Sequence, residues 1–539
     1  MEPLRLRFGV VTAGAAPAYW QVRCVRALTE RGAELALWLQ APPPAEPPGG
    51  ARLFAAWWRR ALRRCRALRP EPPGPGWAAR PLQGAAPSAL ADLGLDLVID
   101  LGGAGDPGAL AAAARLGVLA LWHGPAAGDG GPLARLDPPA RSHEPLRLAV
   151  VRFRQGRAGL VIEGSFRARR NALRNLDRAL LVATDCLVAA CARLARAGEA
   201  PDLPDHPWPV RPRTVLADPA MARFLALQAR ELAGALGDKM QLETWNIGVV
   251  RRPPRELLGE TPLRGIEWLP APPLHRFYAD PMALPGADGA MLAEEFDHVT
   301  GRGRICCLAA PGWRCSYPAG LDTGLHMSYP QLVEHGSEIL CLPESFETGG
   351  VPLFRATRFP DRWERIATLL PGFPAVDATL FRHDGAWWLL CGREGETSDS
   401  ELHVWFADAP TGPFRPHPLN PVKLDVRSSR PAGPPFLVDG VLYRPAQDGA
   451  RTYGGALAIN RIVTLERERF LEEVAWRIEP DRNGPYPDGL HTFCASGAAT
   501  LVDGKRVRFH PAAPLLRAWG RRAHGRRLRR LAPGPRAAG

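Results

Sequence analysis

Five residues that could do chemistry stand near the start of five similar segments that are far apart along the chain. They are Asp280, Tyr329, Asp377, Arg430 and His491. Paired carboxylates can act as acid and base or nucleophile, an arginine can hold an anionic group, and an aromatic ring can stack on a sugar face. If the fold gathers these five segments, their side chains form one polar site.

The carboxylates have two interpretations each. Asp280, in "FYADPM", either caps the backbone N–H groups of a turn, as Asx residues do, or acts as base or nucleophile. Asp377 has the same start-of-segment position and the same two interpretations. Glu344, in "LCLPES", has apolar neighbours that would raise its pKa, as a proton donor requires. A structural glutamate paired with an arginine is the alternative.

Other side chains of these segments are candidates for holding a substrate. Arg430 precedes a proline, which favours an extended backbone, and it either binds a phosphate or carboxylate or is a solvated or ion-paired residue. The predicted substrate-binding residues are Tyr278, Tyr329, Arg430, Gln447 and His491.

The five segments share one plan, which indicates how they are positioned. Each has an apolar strand, a glycine turn and a second apolar strand, and they start roughly 40–60 residues apart. An Asp-Gly pair supplies the turn in four segments, including 503–504 in the fifth, and His-Gly supplies it in the other. We therefore predict a five-bladed β-propeller over residues 241–512, in which the segment starts converge on the axis. The strand-like residues 241–253 would close the ring with the last blade.

Residues 1–215 have a different pattern. Apolar strands such as 4–14 and 33–40 alternate with helical periodicity, which is typical of an α/β domain with a doubly wound sheet. The first turn, "TAGAAPAYW", is not a G-x-G-x-x-G sequence, so no dinucleotide site and no cofactor are predicted. A helical linker is expected over 216–240.

The excess of basic residues is concentrated in parts of the chain. The net charge is +13, and the basic C-terminal tail, 513–539, has no acidic residue. Such a tail is either a solvated end or a contact with an anionic membrane surface, since Trp519 and Leu528 lie among its arginines. No nucleic-acid-binding module is recognisable, so nucleic acid is not an expected partner.

Targeting and metal signals are weak. The chain lacks an apolar run of roughly 18–20 residues, and "MEPLRLRFGVVTAG" is not a secretory signal. The ten cysteines form no C-x-x-C pair, so we predict no metal site and expect mostly buried, reduced thiols. These features predict a cytoplasmic protein, peripheral at the membrane if the tail binds lipid.

The first domain resembles the formyltransferase-type fold, a Rossmann-like sheet. The resemblance lies in "GVLALWHG" (117–124), in "GDGGP" (128–132) and in a strand–turn–strand ahead of a helix. That family uses an Asn-x-His pair with a distant Asp. His123 matches the His position, but residue 121 is Leu, so the resemblance implies a degenerate site without formyl transfer.

The second domain resembles two propeller families. Its "ADP" start and five-blade plan are similar to the arabinanase, xylosidase and invertase superfamily, which implies that Asp280 is base or nucleophile and that Glu344 or Asp377 is the acid. Longer strings, such as "SYPQLVEHGSEILCLPES" and "DATLFRHDGAWWLLC", resemble the N-terminal propeller domain of plant glucosamine inositolphosphorylceramide transferase and its bacterial relatives. Some of those relatives have a formyltransferase-like domain in front. In the plant protein a separate glycosyltransferase domain is held responsible for sugar transfer, and we expect no such domain after residue 512.

The sequence therefore predicts a carbohydrate-active protein that transfers or cleaves a glycosyl unit of a glycan or glycolipid. The alternative is a non-catalytic module that recognises a glycan or glycolipid.

Overall fold

The computed structural model describes residues 3–14, 16–41, 51–77, 79–81, 90, 92–102, 106–123, 145–197, 203–206, 218–284 and 289–531. The chain forms two compact units, Met1–Gly234 and Ala235–Gly539. Within the described residues, no helix has both the length and the apolar character needed to cross a membrane.

The N-terminal unit is an α/β unit built on one sheet. Its strands are β1 (Arg7–Ala13), β2 (Glu34–Ala41), β3 (Ala79–Pro81), β4 (Leu97–Asp100), β5 (Val118–His123), β6 (Leu146–Arg154) and β7 (Arg157–Phe166). Its helices are α1 (Tyr19–Glu30), α2 (Arg52–Arg64), α3 (Pro107–Ala112) and α4 (Ala172–Ala197), and α5 (Asp218–Asp238) follows. The sheet order is β3-β2-β1-β4-β5-β6-β7. The strands from β3 to β5 are parallel, whereas β6 and β7 add an antiparallel hairpin.

The second unit is a five-bladed β-propeller, as predicted. Blade 1 contains β10 (Arg276–Met282), β11 (Ala290–Asp297), β12 (Arg302–Ala309) and β13 (Arg314–Ser316). Blade 2 contains β14 (Ser328–His335), β15 (Glu338–Glu344), β16 (Val351–Arg358) and β17 (Arg362–Leu369). Blade 3 contains β18 (Ala375–His383), β19 (Ala386–Arg393), β20 (Glu401–Ala407) and β21 (Arg415–Pro416), with β22 (Lys423–Leu424) also on β20. Blade 4 contains β23 (Phe436–Val438), β24 (Val441–Asp448), β25 (Ala456–Leu465) and β26 (Phe470–Ile478).

Blade 5 joins the two ends of the propeller sequence. It contains β27 (Phe493–Ser496), β28 (Ala499–Phe509), β8 (Gln241–Val250) and β9 (Ile266–Trp268). Strands β8 and β28 are antiparallel along their whole length, from Gln241 opposite Phe509 to Val250 opposite Thr500. This pairing confirms the predicted closing strand, and it leaves the ring without an open sheet edge at that point.

The predicted Asp-Gly turns are right in two blades and wrong in the fifth. Asp384 and Gly385 have φ values of 46° and 79°, and Asp439 and Gly440 have 49° and 78°, which is the left-handed pair of a type I′ turn. In the first segment, part of the predicted turn lies outside the described residues. In blade 5 the turn is at Gly497, and residues 503–504 lie inside β28. Asp503 is consequently a buried strand residue and not a turn residue.

The basic tail contains a sixth helix, α6 (Ala513–Leu531), and residues 532–539 lie outside the described part. All ten cysteines are free thiols, and all but Cys315 are buried, in line with the expectation of buried thiols.

Candidate active site at the propeller axis

In blades 1, 2 and 3, the hydrogen-bonded pairing of the innermost strand with the second strand is interrupted at equivalent positions. Their pairing shifts between Ala279 and Met282, between Ser328 and Gln331, and between Val376 and Thr379. Within each interruption one non-glycine residue has left-handed φ: Asp280 at 51°, Tyr329 at 46° and Asp377 at 49°. Such a conformation costs about 1–3 kcal/mol, and the surrounding structure must hold it in place.

Carboxylates on neighbouring blades hold these three backbones. The N–H of Asp280 donates to Oδ2 of Asp503 at 3.1 Å, which joins blade 1 to blade 5. The N–H of Tyr329 donates to Oδ2 of Asp280 at 3.1 Å, and that of Asp377 donates to Oε2 of Glu344 at 2.9 Å. The turned backbones therefore bring acids from four blades to one place.

Asp280 lies at the centre of one half of this site and is 6% exposed. Its Oδ1 accepts the hydroxyl hydrogen of Thr492 at 3.0 Å and lies 3.8 Å from Nε2 of His491. Burial raises the pKa of Asp280 to about 6, with His491 acting against burial and the carboxylates of Asp503 and Asp377 adding to it. A carboxyl with this pKa can accept a proton near neutral pH.

His491 and Asp503 form a buried ion pair behind Asp280. Nδ1 of His491 lies 2.5 Å from Oδ2 of Asp503, and Trp245 stacks on the imidazole with ring centroids 3.9 Å apart. Burial alone would lower the pKa of His491, but Asp503 and Asp280 raise it above its usual value. Burial alone would raise the pKa of Asp503, but His491 lowers it. Each partner therefore favours the charged form of the other, an imidazolium and a carboxylate.

Asp280, His491 and Asp503 also have the geometry of a metal site, since one ligand atom of each lies within 4.8 Å of the other two. However, Oδ1 of Asp503 accepts the N–H groups of His491 and Thr492 at 2.9 and 3.0 Å, and its Oδ2 binds Asp280 and His491. The donor atoms are engaged with one another, so we interpret the group as a hydrogen-bonded charge network. The absence of a metal remains a prediction.

Asp377 organises the other half of the site. Nε of Arg430 lies 2.5 Å from Oδ2 of Asp377, and Nη2 lies 3.3 Å from Oδ1. Nε2 of Gln447 donates to the same Oδ2 at 2.9 Å. The guanidinium also lies 5.2 Å from the ring centroid of Tyr453. Arg430 is therefore ion-paired in this structure, and anion binding by Arg430 remains a prediction.

Glu344 lies against the same guanidinium, with Oε2 at 3.8 Å from Nη2 of Arg430. Burial raises the pKa of Glu344 well above its usual range, Asp377 adds to this, and Arg430 opposes it. Because Glu344 and Asp377 contact one guanidinium, their carboxyl groups are within the separation of about 10 Å or less that a two-acid mechanism requires.

Sequence reasoning missed a further acid, Glu294. It is 7% exposed and lies on β11 opposite Ala279, the residue before Asp280. Glu344 lies opposite Ser328, the residue before Tyr329, so the two glutamates occupy equivalent positions in blades 1 and 2. Burial raises the pKa of Glu294 well above its usual range, and Asp280 adds to this. The glutamates of "MLAEEF" were the available signal, since they follow a short apolar run as Glu344 does.

Glu294 also has an imidazole close by. Nε2 of His326 lies 3.8 Å from its Oε1, and burial lowers the pKa of His326 to about 4. His326 is therefore neutral near pH 7 and does not compensate a negative charge on Glu294. A Cβ added at Gly303 would lie 2.0 Å from Oε1 of Glu294, so this glycine provides the space for the carboxyl group.

The two tyrosines do not take the positions expected for sugar stacking. Tyr329 is fully buried, and its hydroxyl is 2.8 Å from Oγ1 of Thr379, so its ring has no free face. Tyr278 lies beside Cys315 and Cys306 of the outer strands of blade 1. The left-handed turn at Asp280 breaks the alternation of the strand, so Asp280 and Tyr278 no longer share a face.

The predicted site in the N-terminal unit centres on His123. His123 ends β5 opposite Leu148, but its side chain lies outside the described residues, as do residues 128–132. The degenerate formyltransferase site remains a prediction.

Comparisons with known sequences agree with the propeller resemblance. Residues 290–487 match the family model described as glucosamine inositolphosphorylceramide transferase 1, N-terminal. A relative of that name from Arabidopsis thaliana is 35% identical over 201 residues, which cover 35% of this chain and 26% of that protein. The protein of the same name from Oryza sativa subsp. japonica is also 35% identical over 201 residues, covering 35% of this chain and 27% of its own length. The matched region is therefore about a quarter of each relative.

Solved structures with some likeness include glycosidases. An exo-β-1,3-galactanase from Clostridium thermocellum has a TM-score of 0.31 and 11% identity, covering 40% of this chain and 53% of its own. The catalytic domain of the Coprinopsis cinerea GH62 α-L-arabinofuranosidase has a TM-score of 0.32 and 14% identity, covering 41% and 78%. Similarities at this level carry no information about activity.

Proposed function

We propose that this protein is a carbohydrate-active enzyme that transfers or cleaves a glycosyl unit of a glycan or glycolipid at the propeller axis. The observation that carries the proposal is the concentration of buried carboxyl groups there. Asp280, Glu294 and Glu344 each have a raised pKa, and Asp377 lies beside them. Glycosyl chemistry requires one carboxyl group that holds a proton and another that releases it near neutral pH.

The environments of these groups support different roles. Asp280, with a pKa of about 6, is suited to act as base or nucleophile. Glu294 and Glu344 keep their protons to higher pH and are suited to protonate a leaving group. The imidazolium of His491 and the hydroxyl of Thr492 orient the Asp280 carboxylate. Asp377, with Arg430 and Gln447 bound to it, is suited to hold a substrate hydroxyl.

The relatives suggest a substrate class. Their name contains a transferase, glucosamine and inositolphosphorylceramide, and the matched region of this chain carries Glu294, Glu344, Asp377 and Arg430. We include an amino sugar and an inositol-phosphate lipid among the first substrates to test. A cytoplasmic location, with contact between segment 513–539 and an anionic membrane surface, also belongs to this proposal.

A second candidate is a non-catalytic module that binds a glycan or glycolipid. The mutual hydrogen bonds of the acids favour this candidate, because Asp280 accepts from Tyr329 and Thr492, and Asp377 is paired with Arg430. Under this alternative the carboxyl groups hold the blades together and bind sugar hydroxyls without chemistry.

The test is a screen of purified full-length protein with sugar nucleotides, oligosaccharides and glycolipids, with product and binding measured in parallel. The proposal expects turnover of at least one substrate and its loss in Asp280→Asn. Binding of a glycan or glycolipid without turnover would establish the recognition module. A formyl-folate donor with an amino-sugar acceptor belongs in the same screen, and no formyl transfer is expected.

A further inference from the structure

Helix α6 presents an ordered stripe of apolar and basic side chains to solvent. The stripe consists of Leu515, Trp519, Arg522, Arg526 and Arg529, all of them exposed. Steps of four and three residues place these side chains along one face of a helix. Leu515 is 58% exposed and Trp519 is 50% exposed, so each presents at least half of its surface to solvent beside the arginines. The helix has no acidic residue to compensate its arginines.

The opposite face of α6 is fixed to the propeller. Leu516 and Ala513 pack on Leu242, and Gly520 lies against Gly301, where an added Cβ on Gly301 would be 2.8 Å from the Gly520 Cα. The guanidinium of Arg517 also donates to the backbone carbonyl oxygens of Asp238 and Lys239 at 3.3 and 3.2 Å. The stripe is therefore the outer face of a docked helix.

This docking position is close to the axial site. Nδ1 of His524, on α6, lies 3.6 Å from Oε1 of Glu347, and Oε2 of Glu347 accepts the N–H of His326 at 3.2 Å. His326 in turn lies 3.8 Å from Glu294. Two of the loops that α6 contacts, at Gly301 and at Glu347, follow β11 and β15, the strands that carry Glu294 and Glu344. The helix thus lies on the end of blades 1 and 2 that carries the candidate active site.

We infer that α6 is a membrane-surface helix that binds anionic lipid and holds the axial site beside the bilayer. Arginines attract anionic headgroups, tryptophan favours the boundary between headgroups and acyl chains, and leucine adds apolar contact. A nucleic acid would bind the arginines through its phosphates but would make no use of the exposed apolar side chain of Leu515 on the same face. The inference deepens the proposed function and rests on it in one respect: the glycosyl acceptor or donor at the site is a membrane glycolipid.

The first measurement is sedimentation of the full-length protein with phosphatidylcholine vesicles, with and without phosphatidylglycerol. The stripe variant carries Arg522→Gln, Arg526→Gln and Arg529→Gln. The matched control carries Arg255→Gln, Arg314→Gln and Arg482→Gln, three exposed arginines outside α6. Each arginine near an anionic surface strengthens binding about five-fold, so the stripe variant should bind anionic vesicles about a hundred-fold more weakly. The control should bind as the unmodified protein does.

Other outcomes overturn the inference. The inference is wrong if the protein binds neutral and anionic vesicles equally, or if the two triple variants lose vesicle binding equally. It is also wrong if the protein binds a single-stranded oligonucleotide more tightly than anionic vesicles. Leu515→Ser with Trp519→Ser should also weaken vesicle binding, and no effect would contradict contact with the apolar boundary. Circular dichroism verifies that each variant is folded.

The vesicle measurement separates this inference from the proposed function. If the protein binds anionic vesicles through the stripe but no substrate is turned over, α6 remains a lipid-binding helix and the proposed enzyme activity fails. If both hold, the stripe variant should lose activity on a glycolipid in vesicles and keep it on a water-soluble glycan. Loss of activity on both substrates would contradict the positioning role of α6.

Discussion

The backbone N–H of Tyr329 and Oδ2 of Asp280 form a hydrogen bond of 3.1 Å between blades 1 and 2. Both residues have left-handed φ. The turn at Asp280 presents its carboxylate, and the equivalent turn at Tyr329 directs the backbone N–H of Tyr329 towards that carboxylate. Asp280 is therefore both the candidate base or nucleophile and a connection between blades. Substitutions that keep the connection but remove the charge can separate these two roles.

We expect Asp280→Asn to abolish turnover while leaving the protein folded. The amide oxygen can still accept from Tyr329, and the amide nitrogen can donate to the Thr492 hydroxyl, so both contacts survive. General acid–base catalysis contributes about 10²–10⁴-fold, and a loss of at least this size is expected. Asp280→Ala should in addition lower the melting temperature, because each buried donor left without a partner costs about 1–3 kcal/mol. Equal melting temperatures for the two variants would contradict the connecting role.

Glu294→Gln should lose turnover without loss of stability at pH 7. Burial raises the pKa of Glu294, so the folded state holds this proton to a higher pH than the unfolded chain, which releases it above a pH of about 4.3. The folded state therefore loses stability relative to the unfolded state as the pH rises from about 4, and glutamine removes this loss. Thermal unfolding at several pH values should show the variant at least as stable as the parent at pH 7, with the difference vanishing near pH 4. Full activity in Glu294→Gln would leave Glu344 as the proton donor.

The pH profile of the reaction should have an acidic limb near pH 6. Asp280, with a pKa of about 6, is protonated below this pH and then cannot act as base or nucleophile. The hydrogen bond from Thr492 favours the ionised carboxylate, so Thr492→Val should move the limb of kcat/KM to higher pH. If the acidic limb does not move in Thr492→Val, the limb reports the ionisation of a group other than Asp280.

The sequence was sufficient to predict the propeller, because paired apolar strands with a glycine turn recur in every blade. It also indicated that the starts of the five segments lie together, since the inner strands of a propeller all line the central axis. The backbone geometry at the site could not be predicted from the sequence. The left-handed backbone at Asp280 and Tyr329 breaks strand alternation, and nothing in the order of residue types marks that break.

Asp503 shows why local turn chemistry was misleading in blade 5. An Asp-Gly pair between apolar runs predicts a hairpin turn, but the long pairing of β28 with β8 extends the strand through both residues. Tertiary pairing outweighed the local preference, and it buried the carboxylate of Asp503 in the strand. Glu294 was missed for a different reason: only the register opposite Ala279 places it next to Asp280.

The ion pair between His491 and Asp503 should be a major source of propeller stability at weakly acidic pH. Asp503→Asn removes the negative charge beside a buried imidazolium, and breaking a buried pair in this way costs about 3–5 kcal/mol. The raised pKa of His491 gives stability that is present below its unfolded pKa of about 6.5 and is lost as the pH rises through the folded value. The lowered pKa of Asp503 gives stability that is present above an unfolded pKa of about 3.9 and is lost as the pH falls through the folded value.

The cost of Asp503→Asn should consequently be greatest between about pH 4 and pH 6.5 and should decrease on both sides. Thermal unfolding of the parent and the variant across this range measures it. Thr492→Val serves as the control, because it removes a neighbouring hydrogen bond to Asp280 without changing the charge of the pair. A cost that is independent of pH, or one no greater than that of Thr492→Val, would mean that Asp503 stabilises the blades as an acceptor of backbone N–H groups and not through its charge.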